Sequence, residues 1–142
     1  TDFQWKGRSA ARVLELSREH EESRYLPYLR ISWAHKGWDM TVTDPKGDVY
    51  TFQELCSGRE VHLEGLAMRH CVGSYAYACS KGHAAIFSMQ CNGQRKVTIE
   101  ITMSTRTVAQ AKGTCNRNAS PEEQALIRQW MAAKVLPVMA KV

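Results

Sequence analysis

The sequence predicts an α+β fold, in which an antiparallel sheet is packed by about three helices. Short segments in which apolar and polar residues alternate occur in two groups, and turn residues separate the segments within each group. Segments whose apolar residues have helical spacing flank the two groups. The 142 residues suffice for one domain with its own core. We therefore treat residues 1–142 as a single domain, with a helix and short strands in residues 1–55 and a basic core in residues 56–142.

Residues 1–55 are predicted to form one helix followed by three short strands. Ser9 can cap a helix that runs to about residue 20, because a serine hydroxyl accepts a hydrogen bond from a free N–H group of the first turn. Pro27 ends this helical register. Alternation of apolar and polar residues then predicts the strands, which cover residues 29–33, 38–43 and 48–52.

Residues 56–142 are predicted to form helices around a three-stranded meander. A helix begins near Glu60 and contains Cys71; Gly73 interrupts it, and Ser74 can cap a further turn or two that ends near Gly82. An Asn-Gly hairpin signal separates the first two of three strands, which cover residues 85–90, 95–103 and 107–112.

The last helix has the clearest start signal in the chain. Ser120 is placed to cap it, Pro121 stands at its first position, and Glu123 completes a capping box. Pro137 stops or kinks it. Its predicted buried face consists of Leu126, Ile127, Trp130 and Met131.

Positive charge is concentrated in the C-terminal part of the chain. Residues 1–60 carry nine Lys/Arg and ten Asp/Glu, a net charge of −1, whereas residues 61–142 carry ten and four, a net charge of +6. This asymmetry favours a polyanionic partner, and we expect RNA or single-stranded DNA. The alternative is a soluble surface that happens to be basic.

The ends and hydropathy of the chain predict a cytoplasmic location. No apolar run approaches the roughly 18 residues of a membrane span, and no signal peptide opens the sequence, so we expect no membrane partner. Because the first residue is Thr1 rather than Met, we expect the chain to be a piece of a longer protein whose other domains are its partners.

The five cysteines have irregular spacing, which argues against a disulfide framework and for a reducing compartment. There is no C-x-x-C pair. The nearest set with zinc-ligand residue types comprises His70, Cys71, Cys79 and His83. Because cysteine is commonly a small buried hydrophobe, we expect no metal and no cofactor.

The densest group of reactive side chains lies at residues 69–75. In a continuous helix, His70 would share a face with Ser74, and Cys71 with Tyr75. If Gly73 breaks the helix, the N–H groups after Ser74 become a helix N-terminus that can hold an anion. In the alternative without function, these residues only pack and cap.

A polar side of the predicted meander is a candidate floor for a site. One side of strand 95–103 carries Lys96, Thr98, Glu100 and Thr102. Gln110 and Lys112 join that side if the alanines between and beside them pack under a helix. On pattern alone, however, an ordinary solvent face is the favoured interpretation.

Most known catalytic patterns are absent from the sequence. There is no zinc-deaminase signature, no G-x-S-x-G and no phosphate-binding glycine loop, and Glu100 stands nearly alone among basic residues, which disfavours a two-metal nuclease. Metal-independent cleavage of RNA stays feasible, since it needs a base, an acid and cations around the phosphorane. The candidate catalytic residues are His70, Tyr75 and Glu100. The candidate substrate-binding residues are Ser74, Gln110, Lys112, Asn116 and Arg117.

The segment Leu63–Ala76, which reads LEGLAMRHCVGSYA, resembles the PcfJ-like domain. The resemblance spans about residues 50–131 and continues in order through four later segments. These segments are Ile86–Met89, Thr98–Ile101, Val108–Gly113 and Cys115–Arg117, with Cys79 and Gly82 before them. It implies a protein of conjugative plasmids, phages or other mobile elements, and a shared site at His70, Cys71, Ser74, Tyr75, Gln110 and Asn116.

The sequence thus leads to a nucleic-acid-acting domain of a mobile-element or defence protein, with metal-independent RNA cleavage by His70 as the main hypothesis. A non-catalytic nucleic-acid or protein-binding adaptor is the alternative. A thiol-dependent enzyme that uses Cys71 is a third possibility. Convergence of His70, Tyr75, Gln110 and Asn116 in one pocket would favour an enzyme.

Overall fold

In a computed structural model, each strand of the sheet pairs antiparallel with the next strand in the chain. The structure describes residues 28–70 and 75–137. The order across the sheet is β1-β2-β3-β4-β5. The strands are β1 (Met40–Thr43), β2 (Val49–Leu55), β3 (Ala84–Cys91), β4 (Gln94–Thr102) and β5 (Thr107–Lys112). The helices are α1 (Gly58–Met68), α2 (Tyr75–Ser80) and α3 (Pro121–Trp130), and a π-helical turn over Met131–Val135 extends α3. The predicted α+β fold is therefore confirmed.

One face of the sheet forms the main apolar core under α3. The Trp130 ring stacks on Phe52 with a centroid distance of 5.0 Å and meets Phe87 edge-on at 4.6 Å. Ser120 and Glu123 form the predicted capping box, and Pro121 starts the helix. Of the predicted buried face of α3, Leu126 is only partly buried, and the other three residues are buried.

The meander β3-β4-β5 confirms its predicted strands. Asn92 and Gly93 both have positive φ angles, 52° and 85°, as a two-residue type I′ hairpin turn requires. The register shifts between Glu100 and Ile101, so that β5 contains one extra residue there.

The predicted strand at residues 29–33 is wrong. Residues 28 and 29 are helical, and Ser32 makes only an isolated bridge, to Ser57. The reason is a contact with the start of α1, where the Gly58 N–H donates to the Ile31 carbonyl at 2.8 Å. This hydrogen bond joins the segment to the start of α1, and the segment does not form a strand of the sheet. The predicted helix from Ser9 lies outside the described residues.

The other two N-terminal strands differ from the prediction in length. The predicted strand at 38–43 begins only at Met40, because the Trp38 carbonyl accepts a hydrogen bond from Trp130 Nε1 at 2.7 Å. The predicted strand at 48–52 extends to Leu55, whose pairing with Ile86 continues the ladder to β3.

The second face of the sheet is covered by α1 and α2, and it is partly polar. A small apolar cluster lies there, formed by Leu55, Val61, Cys79, Ala84 and Ile86. Next to it, the paired residues Gln53, Ser88, Thr98 and Lys112 form a polar row across four strands. Ser88 is 0% exposed and Thr98 is 6% exposed. The favoured interpretation of this side as an ordinary solvent face is therefore wrong, because α1 lies over it.

Helix α1 ends earlier than its sequence predicts. Arg69 adopts the left-handed conformation with φ of 57°, and the N–H groups of Arg69 and His70 both donate to the Gly65 carbonyl. A continuous helix through residue 71 is thus wrong. The segment 71–74, with Cys71 and Ser74, lies outside the described residues. The residues after Pro137 lie outside them as well, so the predicted stop at Pro137 stays a prediction.

The helices of the described ranges are too short and too polar to cross a membrane.

Candidate functional site

A small pocket lies over strands β4 and β5, near the end of α1 and the start of α2. Its volume of about 20 Å³ is enough for a water molecule. All of its lining residues carry a polar group: His70, Tyr75, Thr98, Glu100, Gln110, Lys112 and Asn116. Six of these were predicted as site residues from the sequence, and they come from five separate segments of the chain.

The pairing of β4 with β5 sets the floor of the pocket. Glu100 lies opposite Gln110, and Thr98 lies opposite Lys112. Residues two apart on a strand point to the same face, so these four side chains share the face under α1. The register shift directly after Glu100 leaves both of these pairs aligned.

Gln110 connects the floor of the pocket to α2. Its Nε2 donates to Glu100 Oε1 at 3.1 Å and to the hydroxyl oxygen of Tyr75. Tyr75 is the first residue of α2, and its ring packs partly against the small apolar cluster. The amide therefore fixes the phenol at the pocket wall.

His70 enters the pocket from the end of α1. Its Nε2 lies 3.0 Å from Thr98 Oγ1. Burial lowers the pKa of His70 below its usual value of 6.5, although the Glu64 charge and a hydrogen bond to the His70 backbone oppose this. The imidazole is therefore predominantly neutral at pH 7 and able to accept a proton.

Glu64 binds the Thr98 hydroxyl that contacts His70, and it was not among the residues predicted from the sequence. Its carboxylate is 0% exposed; Oε2 accepts from Thr98 Oγ1 at 2.6 Å and Oε1 accepts from Arg95 Nε at 2.8 Å. A signal was present: Glu64 stands three residues after Val61 and four before Met68, on the apolar stripe of α1. A carboxylate at such a position needs buried partners.

Lys112 and Asn116 also line the pocket. Lys112 Nζ donates to Asn118 Oδ1 at 2.7 Å. Asn116 ends the 3₁₀ turn Thr114–Asn116, and its φ of 64° is left-handed. Thr114 Oγ1 lies 4.0 Å from Met68 Sδ, which places this turn beside the end of α1.

Arg117 is not among the residues that line the pocket. Its guanidinium binds both carboxylate oxygens of Glu123, at 2.8 and 3.0 Å, and donates to the Lys96 carbonyl at 3.1 Å. Hydrogen bonding to Glu123 raises the pKa of Arg117. Burial acts to raise the pKa of Glu123, but hydrogen bonds from Arg117 and Ser120 outweigh it and lower the pKa. Arg117 thus joins the loop after β5 to the cap of α3.

The remaining predicted residue, Ser74, lies outside the described residues, as does Cys71. The four described cysteines are free thiols, and burial raises the pKa of Cys56 and of Cys79 to about 12. These two thiols stay protonated at neutral pH and are poor nucleophiles. Across residues 28–70 and 75–137, no three His, Cys, Asp or Glu side chains form a group that could hold a metal ion.

Comparison with known families gives a match over most of the chain. The family model for the PcfJ-like protein matches residues 8–127. Comparisons with curated proteins and with solved structures found no match.

Proposed function

The chain belongs to the PcfJ-like protein family, and from this premise and the pocket chemistry we propose that it cleaves RNA without a metal ion. The observation that carries the proposal is the convergence of a neutral imidazole, a phenol and an ammonium group in one pocket. These groups supply a base, an acid and a phosphate-binding cation. The resemblance to proteins of mobile elements supports a cytoplasmic role in such an element or in defence against one.

The reaction is an internal transesterification. His70 takes the proton of a ribose 2′-hydroxyl, the 2′-oxygen forms a bond to phosphorus, and the bond from phosphorus to the 5′-oxygen breaks. Tyr75 gives its proton to the leaving 5′-oxygen. The products are a 2′,3′-cyclic phosphate and a 5′-hydroxyl, and neither an oxidant nor a metal is needed for the balance.

The other pocket residues bind and orient the substrate. Lys112 and Asn116 line the same pocket as the imidazole, where an ammonium group and an amide can hold the phosphate oxygens. Glu100 orients Gln110, which in turn fixes the Tyr75 phenol. Because the pocket is small, it admits the reacting hydroxyl, and the phosphate and the rest of the RNA lie across its mouth.

Incubation with RNA and with single-stranded DNA in EDTA tests this function. We expect cleavage of RNA alone, because DNA lacks the 2′-hydroxyl, and a loss of at least about 100-fold in His70→Ala. His35→Ala is the matched control, since His35 is an exposed histidine of the loop before β1 and lines no part of the pocket. Absence of RNA cleavage, or equal cleavage by His70→Ala, would overturn the proposal.

A binding module without turnover is the second candidate, and the net charge of +6 in residues 61–142 favours it. It predicts RNA binding that weakens in Lys112→Ala and is unchanged in His70→Ala, with intact RNA recovered at the end. The same incubation therefore separates the two functions.

A further inference from the structure

We propose that Glu64 and Thr98 form a hydrogen-bond relay that holds His70 as one tautomer, with the proton on Nε2 and the lone pair on Nδ1. Both are positioning residues, since they act on the imidazole and need not touch RNA. The effect on turnover rests on the proposed function, whereas the tautomer is a property of the folded chain alone.

The direction of the relay follows from the donors and acceptors in it. An ionised carboxylate only accepts, so the Thr98 hydroxyl must donate its single proton to Glu64 Oε2, 2.6 Å away. The Thr98 oxygen can then only accept from His70 Nε2, at 3.0 Å. Nε2 consequently carries the proton, and Nδ1 is the nitrogen that can act as a base.

Arg95 forms an ion pair with Glu64, the first member of the relay. Its Nε donates to Glu64 Oε1 at 2.8 Å, and its side chain is 43% exposed, so the pair reaches from solvent to the buried carboxylate. A buried charge destabilises a fold unless it is paired and hydrogen-bonded. Arg95 and the Thr98 hydroxyl supply these partners for the Glu64 carboxylate.

The titratable groups around His70 come from four elements near the pocket. Glu64 lies on α1, Tyr75 on α2, Glu100 on β4 and Lys112 on β5. Glu64 is joined to the imidazole through a hydrogen-bonded side chain, Thr98.

Glu64→Gln should reverse the relay. The amide oxygen can accept from Arg95, which leaves the amide NH₂ to donate to the Thr98 oxygen. The Thr98 hydroxyl then donates to His70 Nε2, and the imidazole proton moves to Nδ1. The isosteric change at Glu64, which reaches His70 only through Thr98, thus converts the imidazole of His70 into its other tautomer.

Thr98→Val and Thr98→Ser form a matched pair that does not touch the charge. Valine keeps the shape of the side chain but has no hydroxyl, so His70 Nε2 loses its partner. Serine keeps the hydroxyl and should keep the relay. This pair also protects the test against misfolding, because both changes leave the Arg95–Glu64 ion pair in place.

Nitrogen-15 chemical shifts of the His70 ring, measured on the whole chain, give the tautomer directly. We expect Nε2–H in the wild type and in Thr98→Ser, Nδ1–H in Glu64→Gln, and a mixture in Thr98→Val. Nδ1–H in the wild type, or the wild-type tautomer in all three variants, would overturn the relay.

Cleavage kinetics provide the second readout and separate the relay from the proposed function. With the relay, Glu64→Gln should lower kcat by about 100-fold or more while KM changes little. If the tautomer changes as expected but no form cleaves RNA, the relay is supported and the proposed function fails. If the wild type cleaves RNA and Glu64→Gln keeps both its tautomer and its kcat, the relay fails.

Discussion

His70 lies near a fully buried carboxylate, and its pKa is nevertheless lowered. Burial favours the uncharged imidazole by more than the Glu64 charge favours the imidazolium. The consequence for the proposed reaction is that cleavage should rise with pH with a midpoint below 6.5, the usual value for histidine, and then reach a plateau. Initial cleavage rates measured across this pH range test this, and a midpoint above 6.5 would contradict it.

The same shift makes stability depend on pH. Between the lowered pKa of the folded chain and 6.5, the unfolded chain binds more protons than the folded chain, so the free energy of unfolding falls as pH falls through this window. Urea denaturation of the wild type and of His70→Gln at about pH 5 and pH 7 measures this. We expect a smaller acid-induced loss in His70→Gln, and equal losses would contradict the shift.

Arg117 and Lys112 are two cations with different roles. Arg117 is joined to Glu123 and to two backbone carbonyls, although its side chain is 42% exposed, so we expect Arg117→Ala to cost about 1 kcal/mol of stability after solvent screening. Lys112→Ala should cost less stability but weaken RNA binding. Urea denaturation and an RNA titration of both variants measure the contrast. Loss of RNA binding in Arg117→Ala with unchanged stability would reverse these roles.

At the scale of elements, features that depend on neighbouring residues were predicted correctly, whereas features that depend on contacts between distant residues were not. The hairpin at Asn92-Gly93 and the cap at Ser120 depend on neighbouring residues, and both formed as expected. The strand predicted at 29–33 failed because its backbone pairs with the start of α1, a contact between residues far apart in sequence. The end of α1 at Met68 likewise depends on the left-handed conformation of Arg69. Glycine is the usual sequence signal for this conformation, and position 69 has an arginine instead.

The candidate site shows the same division. Glu100 and Gln110 could be predicted because their residue types carry the chemistry and their strands were predicted correctly. His70 and Tyr75 were named for their residue types, although the helix before His70 ends earlier than predicted. Glu64 was missed because its role depends on which face of the sheet α1 covers, and the sequence pattern favoured the other answer.

The junction between α1 and the segment before β1 depends on Gly58. A Cβ atom there would stand 1.6 Å from the Tyr28 carbonyl oxygen, so backbone would have to move. We expect Gly58→Ala to lower stability by about 2 kcal/mol or more. Arg59→Ala, an exposed change one residue later, should cost less than about 0.5 kcal/mol. Thermal or urea denaturation of both gives the comparison, and equal stabilities would refute the close contact.

Over the whole molecule, the sheet separates two kinds of environment. The face under α3 is apolar, whereas the face under α1 and α2 contains the polar row and the pocket. One face thus supplies the packing that supports the polar arrangement on the other. The pocket also lies in the part of the chain that carries the net charge of +6.

This charge predicts how RNA binding depends on salt. The logarithm of affinity should fall linearly with the logarithm of salt concentration, because bound cations release counterions from the phosphates. If Lys112 contacts one phosphate, Lys112→Ala should reduce the slope by about 0.7. Titrations at several salt concentrations measure both slopes, and an unchanged slope would remove Lys112 from the interface.

The most direct test of the central claim is the chemical identity of the RNA ends formed in EDTA. The proposed reaction of a neutral His70 with the 2′-hydroxyl predicts 2′,3′-cyclic phosphate and 5′-hydroxyl ends from the wild type, at least about 100-fold fewer from His70→Ala, and no cleavage at a 2′-deoxy nucleotide. Intact RNA, ends of another kind, or equal yields from the two proteins would contradict it.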